Sequence, residues 1–222
     1  MTTVLGVDGC KGGWVGALVS TTPLSGTAIR WRFFSSAAQF LAEPAQVVAV
    51  DIPIGLPDSG VRQCDVLARQ ALPGQASSVF SAPIRPVLAA RTYAEAREIS
   101  VGVDGRSLSA QCFGIVPKIA EVDAALHGSP REVLEVHPEA SFARLAGGRL
   151  PGKKSAAGAL ARVQLLTEVF GTLPTDVPAQ AGLDDCLDAL VCAWTALRWL
   201  RGEAEVLGGD LDATGQVMRI VV

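Results

Sequence analysis

The sequence predicts an α/β fold with a mixed sheet, made of an antiparallel three-strand meander plus parallel strands and flanked by helices. Residues 3–8, 14–20 and 28–34 have the composition of strands and are joined by short turns. Strands joined in this way run antiparallel. Residues 46–52 (QVVAVDI) form a further apolar strand, which follows a short predicted helix over residues 36–42. A helical crossover of this kind places the new strand parallel to the first.

The burial expected for each strand follows from its pattern. Residues 3–8 (TVLGVD) are apolar on both faces, which is typical of a central strand, whereas residues 28–34 (AIRWRFF) alternate. Residues 53–118 are rich in Pro, Gly, Arg and Ser, with helices expected near 61–72 and 92–101. We interpret this segment as a cap inserted into a single domain that spans the chain.

The rest of the chain predicts further βα units. Residues 132–136 (EVLEV) form the fifth predicted strand. The other predicted elements are helices over 110–126, 139–146, 153–170 and 183–202 and a terminal strand over 216–222.

Composition restricts the functional classes. Hydrophobic residues make up 49% of the 222 residues, but no apolar run reaches the ~18 residues of a membrane span, so no membrane partner is expected. The N-terminus lacks the basic segment of a secretory signal, which predicts a cytoplasmic protein. The net charge of −3 argues against a surface that coats long duplex nucleic acid. A small or local phosphate-bearing substrate, nucleic acid or nucleotide, remains compatible with it.

The residue types available as metal ligands indicate a site built from oxygen ligands. The five cysteines are scattered without a CxxC pair, and there are only two histidines. A zinc knuckle, a thioredoxin-type motif and a histidine-rich metal site are therefore excluded. A metal held by carboxylate oxygens would be Mg²⁺ or Mn²⁺.

Carboxylates interrupt three of the predicted apolar strands. Asp8 and Asp51 end the strands over 3–8 and 46–52, and Glu135 lies within Leu134–Val136. Parallel neighbours present their ends at one edge of a sheet, where open α/β sheets bind ligands. Buried acids need a cation, a basic partner or a proton. Taken singly, Asp51 could instead initiate a turn, and Glu135 could be a salt-bridged core acid.

A second group of acids lies at the start of the predicted helix over 183–202. Asp184 and Asp185 stand four and three residues before Asp188, so on a helix they share a face with it. Asp184 and Asp185 have a structural alternative, because a helix N-terminus favours acids. That alternative is weaker for Asp188, which lies one turn further in among apolar residues.

The combined acids predict metal-dependent hydrolysis. Asp8, Asp51, Glu135, Asp185 and Asp188 are the candidate catalytic residues and metal ligands. Carboxylate clusters of this kind suit two-metal catalysis, in which one ion activates water and the other stabilises the leaving oxygen. This chemistry predicts phosphodiester or phosphoryl transfer better than acyl transfer.

Candidate substrate contacts lie in several loops. Ser77, Ser78 and Arg85 belong to a hydroxyl-rich segment that is either a plain loop or an anion-binding loop of the cap. Lys118 could pair with an active-site acid or contact phosphate. His137 is two residues past Glu135, where a proton-transfer role is open beside a structural one.

Residues 147–154 (GGRLPGKK) nearly spell a Walker A loop. The final position is Lys154 rather than Ser or Thr, and the preceding residues have a helical pattern instead of a strand. We therefore interpret the segment as a flexible basic loop. Its lysines, Lys153 and Lys154, remain candidate phosphate contacts at a helix start.

Several motifs together resemble one family. VLGVDGCKGGWVGA, DIPIGLP, SSVFSAP, PKIAEVD, EVHPEASF and the DDxxDA helix resemble the predicted-nuclease family called domain of unknown function 429. The resemblance covers nearly the whole chain. It implies a ribonuclease H-like fold, with acids at Asp8, Asp51, Asp185 and Asp188 and a family-specific acid at Glu135. No acid occurs in the short helix over 36–42, so the pattern is closer to the resolvase branch of that superfamily.

Two other functions are compatible with such a fold. Actin-like kinases also begin with a strand that ends in Asp-Gly, which makes a phosphotransferase the first alternative. That group needs two such domains and a second Gly-rich nucleotide loop, which 222 residues do not accommodate. The second alternative is a non-catalytic ribonuclease H-like binding module, against which the complete acid set argues.

Overall fold

The structure, a computed structural model, describes residues 1–22, 26–129 and 131–222. The strands are β1 (Thr2–Cys10), β2 (Gly13–Thr22), β3 (Gly26–Phe34), β4 (Val47–Val50), β5 (Val133–Glu135), β6 (Val206–Leu211) and β7 (Val217–Val221). The α-helices are α1 (Ala37–Leu41), α2 (Gln63–Ala71), α3 (Tyr93–Asp104), α4 (Ala110–Leu126), α5 (Pro138–Ala146), α6 (Ala156–Phe170) and α7 (Leu183–Leu200). The turn between β2 and β3 lies outside the described residues.

The chain divides into two compact units. The first comprises Met1–Ile52, Ser129–Glu205 and Val221–Val222, and the second comprises Pro53–Gly128 and Val206–Ile220. The second unit thus begins where the predicted cap begins. It also contains the whole of α4, which extends past the predicted limit of residue 118, and a segment from near the C-terminus.

The first unit is built on a five-stranded mixed sheet in the order β3-β2-β1-β4-β5. β1 pairs antiparallel with β2, and β2 pairs antiparallel with β3. β4 is parallel to β1, and β5 is parallel to β4. The predicted mixed sheet flanked by helices is therefore confirmed, and its order and directions are those of a ribonuclease H-like fold.

Helix α7 packs directly on the middle of this sheet. Val4, Leu5 and Val7 of β1 are fully buried, as the apolar pattern on both faces predicts. Gly6 has no side chain, and a Cβ at this position would lie only 2.0 Å from the carbonyl oxygen of Ala189 in α7. A glycine is therefore needed for α7 to approach β1 this closely. This close packing brings the side chains of α7 to the sheet.

The second unit contains α2, α3, α4 and the two-stranded β6–β7 sheet. Two ion-paired networks connect its segments. Arg62 and Asp65 form a fully buried pair with an Nη2–Oδ1 distance of 2.5 Å. Arg85 donates to both carboxylate oxygens of Asp123 and also to Asp212. No helix among the described residues is both long and apolar enough to cross a membrane.

Candidate metal centre

Two of the predicted acids lie side by side at the ends of β1 and β4. Val7 and Val50 are register partners in the parallel pair, and the backbone N–H of Asp51 donates to the carbonyl of Val7 at 3.0 Å. Asp8 and Asp51 each follow one of these partners. Parallel pairing therefore holds the two carboxylates at the same level of the sheet edge.

Asp188 is the third member of the group. It lies one turn into α7, which packs against both β1 and β4 and buries Asp188 to 1% exposure. One carboxylate oxygen from each of Asp8, Asp51 and Asp188 lies within 4.8 Å of the other two. Among the described residues, these three acids form a group with the spacing of metal ligands.

Burial raises the pKa of all three acids, and neighbouring carboxylates add to the rise. Burial, followed by the charges of Asp51 and Asp188, raises the pKa of Asp8 well above its usual value. Burial of its carboxyl group and the charge of Asp188 raise the pKa of Asp51 in the same way. Burial raises the pKa of Asp188 to about 7, against the lowering effect of Lys153. Bringing these carboxylates together thus costs free energy that a bound cation would offset.

One buried oxygen of the group has no hydrogen-bond partner among the described residues. Asp188 accepts a hydrogen bond from Lys153 Nζ on Oδ2 at 2.6 Å, but its buried Oδ1 has no hydrogen-bond partner. A buried charged oxygen without a partner is costly. Oδ1 of Asp188 lies in a group with two further acids, so it is well suited to bind a cation.

The donor set favours a hard divalent cation. Three carboxylates converge, and oxygen-only ligation is what Mg²⁺ and Mn²⁺ prefer. Two cysteines of α7 are also close, but burial raises the pKa of Cys186 to about 12 and the pKa of Cys192 well above its usual value. Both thiols are therefore protonated in the metal-free protein, and neither belongs to the group of described residues that has the spacing of metal ligands. The residues present fit Mg²⁺ or Mn²⁺.

The other two predicted ligands lie near the group without joining it. Glu135 ends β5 as the register partner of Val50, is buried, and its charge contributes to the raised pKa of Asp51. Asp185 accepts a hydrogen bond from the backbone N–H of Gly182 at 2.8 Å, which caps α7. That is the structural role open to an acid at a helix N-terminus. Its charge still contributes to the raised pKa of Asp8.

One acid of the site was absent from the sequence prediction. Glu139, at the start of α5, raises the pKa of both Asp51 and Asp188 and lies 3.9 Å from Lys153 Nζ. The motif EVHPEASF contains it, and the Pro before it fixes a helix start directly after β5. That helix start is the signal that could have identified Glu139.

The predicted substrate contacts of the first unit lie in different environments. Lys153 contacts the acids, whereas its neighbour Lys154 is exposed. The ring of His137 caps α5, where Nδ1 accepts from the backbone N–H of Ala140 at 3.4 Å. His137 therefore has a structural contact at the end of β5.

The remaining predicted contacts belong to the second unit. Ser77 is exposed, and the Ser78 hydroxyl donates to the carbonyl of Gln75 at 2.8 Å. Arg85 is engaged with Asp123 and Asp212, and Lys118 is half-buried on α4. The role of these four residues as substrate contacts stays a prediction.

Comparisons with known proteins give a family and two solved structures. The family model described as "Protein of unknown function (DUF429)" matches residues 6–213. The Thermus thermophilus RuvC structure covers 91% of this chain and 98% of its own, with 12% identity and a TM-score of 0.44. T. thermophilus RuvC in complex with a Holliday junction substrate has the same coverage and identity, with a TM-score of 0.39. Likenesses this weak carry no argument about activity. The curated proteins contain no match to the chain.

Proposed function

We propose that this chain, which belongs to the DUF429 family of proteins of unknown function, is a divalent-metal-dependent phosphodiester hydrolase that uses Mg²⁺ or Mn²⁺. The observation that carries the proposal is the convergence of carboxylate oxygens from Asp8, Asp51 and Asp188, together with the buried Oδ1 of Asp188, which has no hydrogen-bond partner among the described residues. A cluster that raises the pKa of its own acids has a cost in stability. Metal binding supplies a reason for that cost.

The acids of the site would have different roles, according to their positions. Asp8, Asp51 and Asp188 would hold the metal, which when bound supplies an activated water and stabilises the charge of the leaving oxygen. Glu135 and Asp185 surround these ligands and add negative charge. The sheet edge and α7 hold the three ligands in place, so little reorganisation is needed on binding.

A phosphate-bearing substrate fits the surroundings of the site. The loop between α5 and α6 carries Lys153 at the acids and the exposed Lys154 beside it. Positive charge next to a carboxylate-bound metal favours an anionic substrate, because it offsets the repulsion between the acids and phosphate. Nucleic acid and nucleotides are the substrates that we propose to test first.

The same loop supports a hydrolase over a phosphotransferase. A nucleotide-binding Walker A loop joins a strand to a helix. Here residues 147–154 follow α5 and precede α6, so the segment joins two helices. The near match to that motif therefore lies in the wrong structural context.

The proposal is tested by metal binding followed by turnover. Mn²⁺ titrated calorimetrically into the wild-type protein should bind, and Asp8→Asn should lose at least tenfold in affinity. Asp176→Asn, which changes an exposed acid of the same unit, should bind as the wild type does. Absence of binding, or equal binding by Asp8→Asn, would refute the metal site.

Turnover is measured on single-strand RNA, single-strand DNA, branched DNA and nucleotides with Mg²⁺ or Mn²⁺. Cleavage of at least one substrate, lost in Asp51→Asn and kept in Asp176→Asn, is expected. Metal binding without cleavage of any of them would favour the non-catalytic binding module instead.

A further inference from the structure

The loop that carries Lys153 is held in place by three residues of its own unit. The carbonyl of Gly152 accepts from the Ser155 backbone N–H at 2.9 Å and from the Ser155 hydroxyl at 2.8 Å. The buried guanidinium of Arg162 donates to the carbonyl of Pro151 at 2.9 Å. A Cβ at Gly158 would lie 2.1 Å from the Gly152 carbonyl oxygen, so α6 tolerates only glycine there. The backbone at residues 151–152 is therefore held in place, in contrast to the flexible loop that the sequence predicts.

This fixed backbone places the ammonium of Lys153 among the acids. Its Nζ lies 2.6 Å from Oδ2 of Asp188 and 3.9 Å from Oε1 of Glu139. The Lys153 charge also acts on Asp8 and Asp51, where it opposes the rise of both pKa values. One ammonium thus offsets part of the charge of four carboxylates. Its own side chain is 32% exposed, so a path to solvent is open to it.

Lys153 and a metal ion would serve the same carboxylates. The ammonium contacts Oδ2 of Asp188, whose buried Oδ1 has no hydrogen-bond partner among the described residues. A cation of charge +2 at these acids would be repelled by an ammonium a few ångströms away. The two cations therefore compete, even where they contact different oxygens.

We propose that Lys153 is a resident counter-ion that competes with the divalent metal for Asp188 and thereby sets the metal affinity of the site. The inference rests on the proposed function, because it concerns the same three ligands. In the metal-free protein Lys153 stabilises the acids. Metal binding then requires that the ammonium release Asp188, which weakens binding and makes it easier to reverse.

The test compares two adjacent lysines by calorimetric titration of Mn²⁺ at fixed ionic strength. Lys153→Met should bind Mn²⁺ at least tenfold more tightly than the wild type, because the competing charge is gone. Lys154→Met removes the same charge from an exposed neighbour and should stay within threefold of the wild type. Lys153→Arg keeps a cation and should not gain affinity.

A second variant distinguishes a change in metal affinity from a loss of folding. Removal of Lys153 leaves buried acids uncompensated, so metal-free Lys153→Met should melt at a lower temperature than the wild type. Lys153→Gln keeps a hydrogen-bond donor for Asp188 while removing the charge, and it should show the same gain in affinity. The melting temperature of both variants should rise more on Mn²⁺ addition than that of the wild type.

The outcomes separate the inference from the function. Equal or weaker Mn²⁺ binding by Lys153→Met and Lys153→Gln, with normal binding by the wild type, overturns the inference and leaves the metal site intact. A gain of the same size in Lys154→Met also overturns it, since the effect would then be one of general charge. Absence of Mn²⁺ binding by the wild type and both variants refutes the proposed function itself.

Discussion

Opposing effects act on the pKa of the Asp188 carboxylate. Burial raises its pKa to about 7, and the charge of Glu139 adds to the rise, while Lys153 opposes both. The result is an acid that titrates near neutral pH in the metal-free protein. Protonation of Asp188 therefore competes with metal binding near neutral pH.

This titration predicts how the stability of the metal-free protein depends on pH. The pKa of Asp188 is about 7 in the folded state, against ~3.9 in an unfolded chain. The folded state therefore binds the proton more tightly, and the resulting stability is complete below about pH 4 and is lost as the pH rises to about 7. Asp8 and Asp51 act in the same direction. The melting temperature in EDTA should fall by several °C between about pH 5 and 8, since ~1 kcal/mol corresponds to about 2–4 °C at this size.

Two controls accompany this melting series. In Asp188→Asn the fall should be smaller, because one of the titrating groups is gone. With saturating Mn²⁺ the wild type should show the reverse trend, because the cation binds the deprotonated acids. A metal-free melting temperature that rises over this pH range would contradict the raised pKa values.

The sequence indicates individual residues of the site where an acid interrupts an apolar run. Asp8, Asp51 and Asp188 stand out in this way, and the structure brings their oxygens together. Glu139 interrupts no apolar run, so only its position at a helix start directly after β5 could have indicated it. The contact of Lys153 with Asp188 spans 35 residues and depends on the path of a loop. No local pattern predicts a contact of that kind.

At the scale of elements, the site depends on how closely α7 lies on β1. The contact is set at Gly6, where backbone of β1 meets backbone of α7 without an intervening side chain. Asp8 is two residues further along β1, and Asp188 precedes Ala189 on α7. A change in the spacing at Gly6 should therefore change the distance between the two carboxylates.

Gly6→Ala is expected to destabilise the protein and weaken metal binding. Its Cβ would lie 2.0 Å from the carbonyl oxygen of Ala189 and 2.3 Å from the backbone nitrogen of Ala193. Backbone cannot yield as a side chain can, so we expect a loss of about 3 kcal/mol in the free energy of unfolding, measured by urea denaturation. The Mn²⁺ affinity should fall with it.

Gly102→Ala is the matched control for that substitution. Gly102 lies in the last turn of α3, and a Cβ there would have open space around it. Alanine should be neutral or stabilise the protein by up to about 1 kcal/mol, because it lowers the entropy of the unfolded chain. Equal losses in the two variants would mean that β1 and α7 are not in backbone contact.

The type and order of most elements could be predicted, and the exception has a physical reason. The meander and the parallel β4 follow from apolar runs and short connections. β6 was not predicted, because Gly208 and Gly209 interrupt its alternation. Gly208 has a φ of 82°, which favours glycine. In addition, a Cβ at position 208 would lie only 2.7 Å from the Cβ of Cys64 in α2. A contact with another element thus overrides local strand propensity.

At the scale of the whole molecule, the chain forms two units and all the acids of the candidate site belong to the first. The second unit has its own polar centre at Asp212. That carboxylate accepts from the backbone N–H of Leu56, Thr214 and Gln216, from the Thr214 hydroxyl and from Arg85. These contacts lower the pKa of Asp212 to about 2, against the effect of burial.

Asp212→Asn should therefore destabilise the second unit. The amide cannot replace the charge that pairs with Arg85, and breaking a buried ion pair of this kind costs about 3 kcal/mol. Asp210→Asn, which changes an exposed acid of β6 two residues earlier, should have little effect in the same denaturation experiment. Mn²⁺ affinity should stay within threefold of the wild type in both variants, because the metal ligands lie in the first unit. A tenfold loss of affinity in Asp212→Asn would contradict that separation.

The second unit is assembled from distant segments of the chain. The composition of residues 53–118 predicts an insert, whereas the unit comprises Pro53–Gly128 and Val206–Ile220. Residues 206–220 join this unit from near the end of the chain. Arg85 and Asp212, which pair within it, are 127 residues apart. A pattern that is read along the chain does not reveal a pairing of distant segments.

The central claim is that Asp8, Asp51 and Asp188 bind a divalent cation. The most direct test is anomalous scattering from Mn²⁺-soaked crystals of the wild-type protein. We expect an anomalous peak coordinated by oxygens of all three carboxylates, with Lys153 Nζ withdrawn from Asp188. An empty site at saturating Mn²⁺, or a peak only at other acids, would contradict the claim.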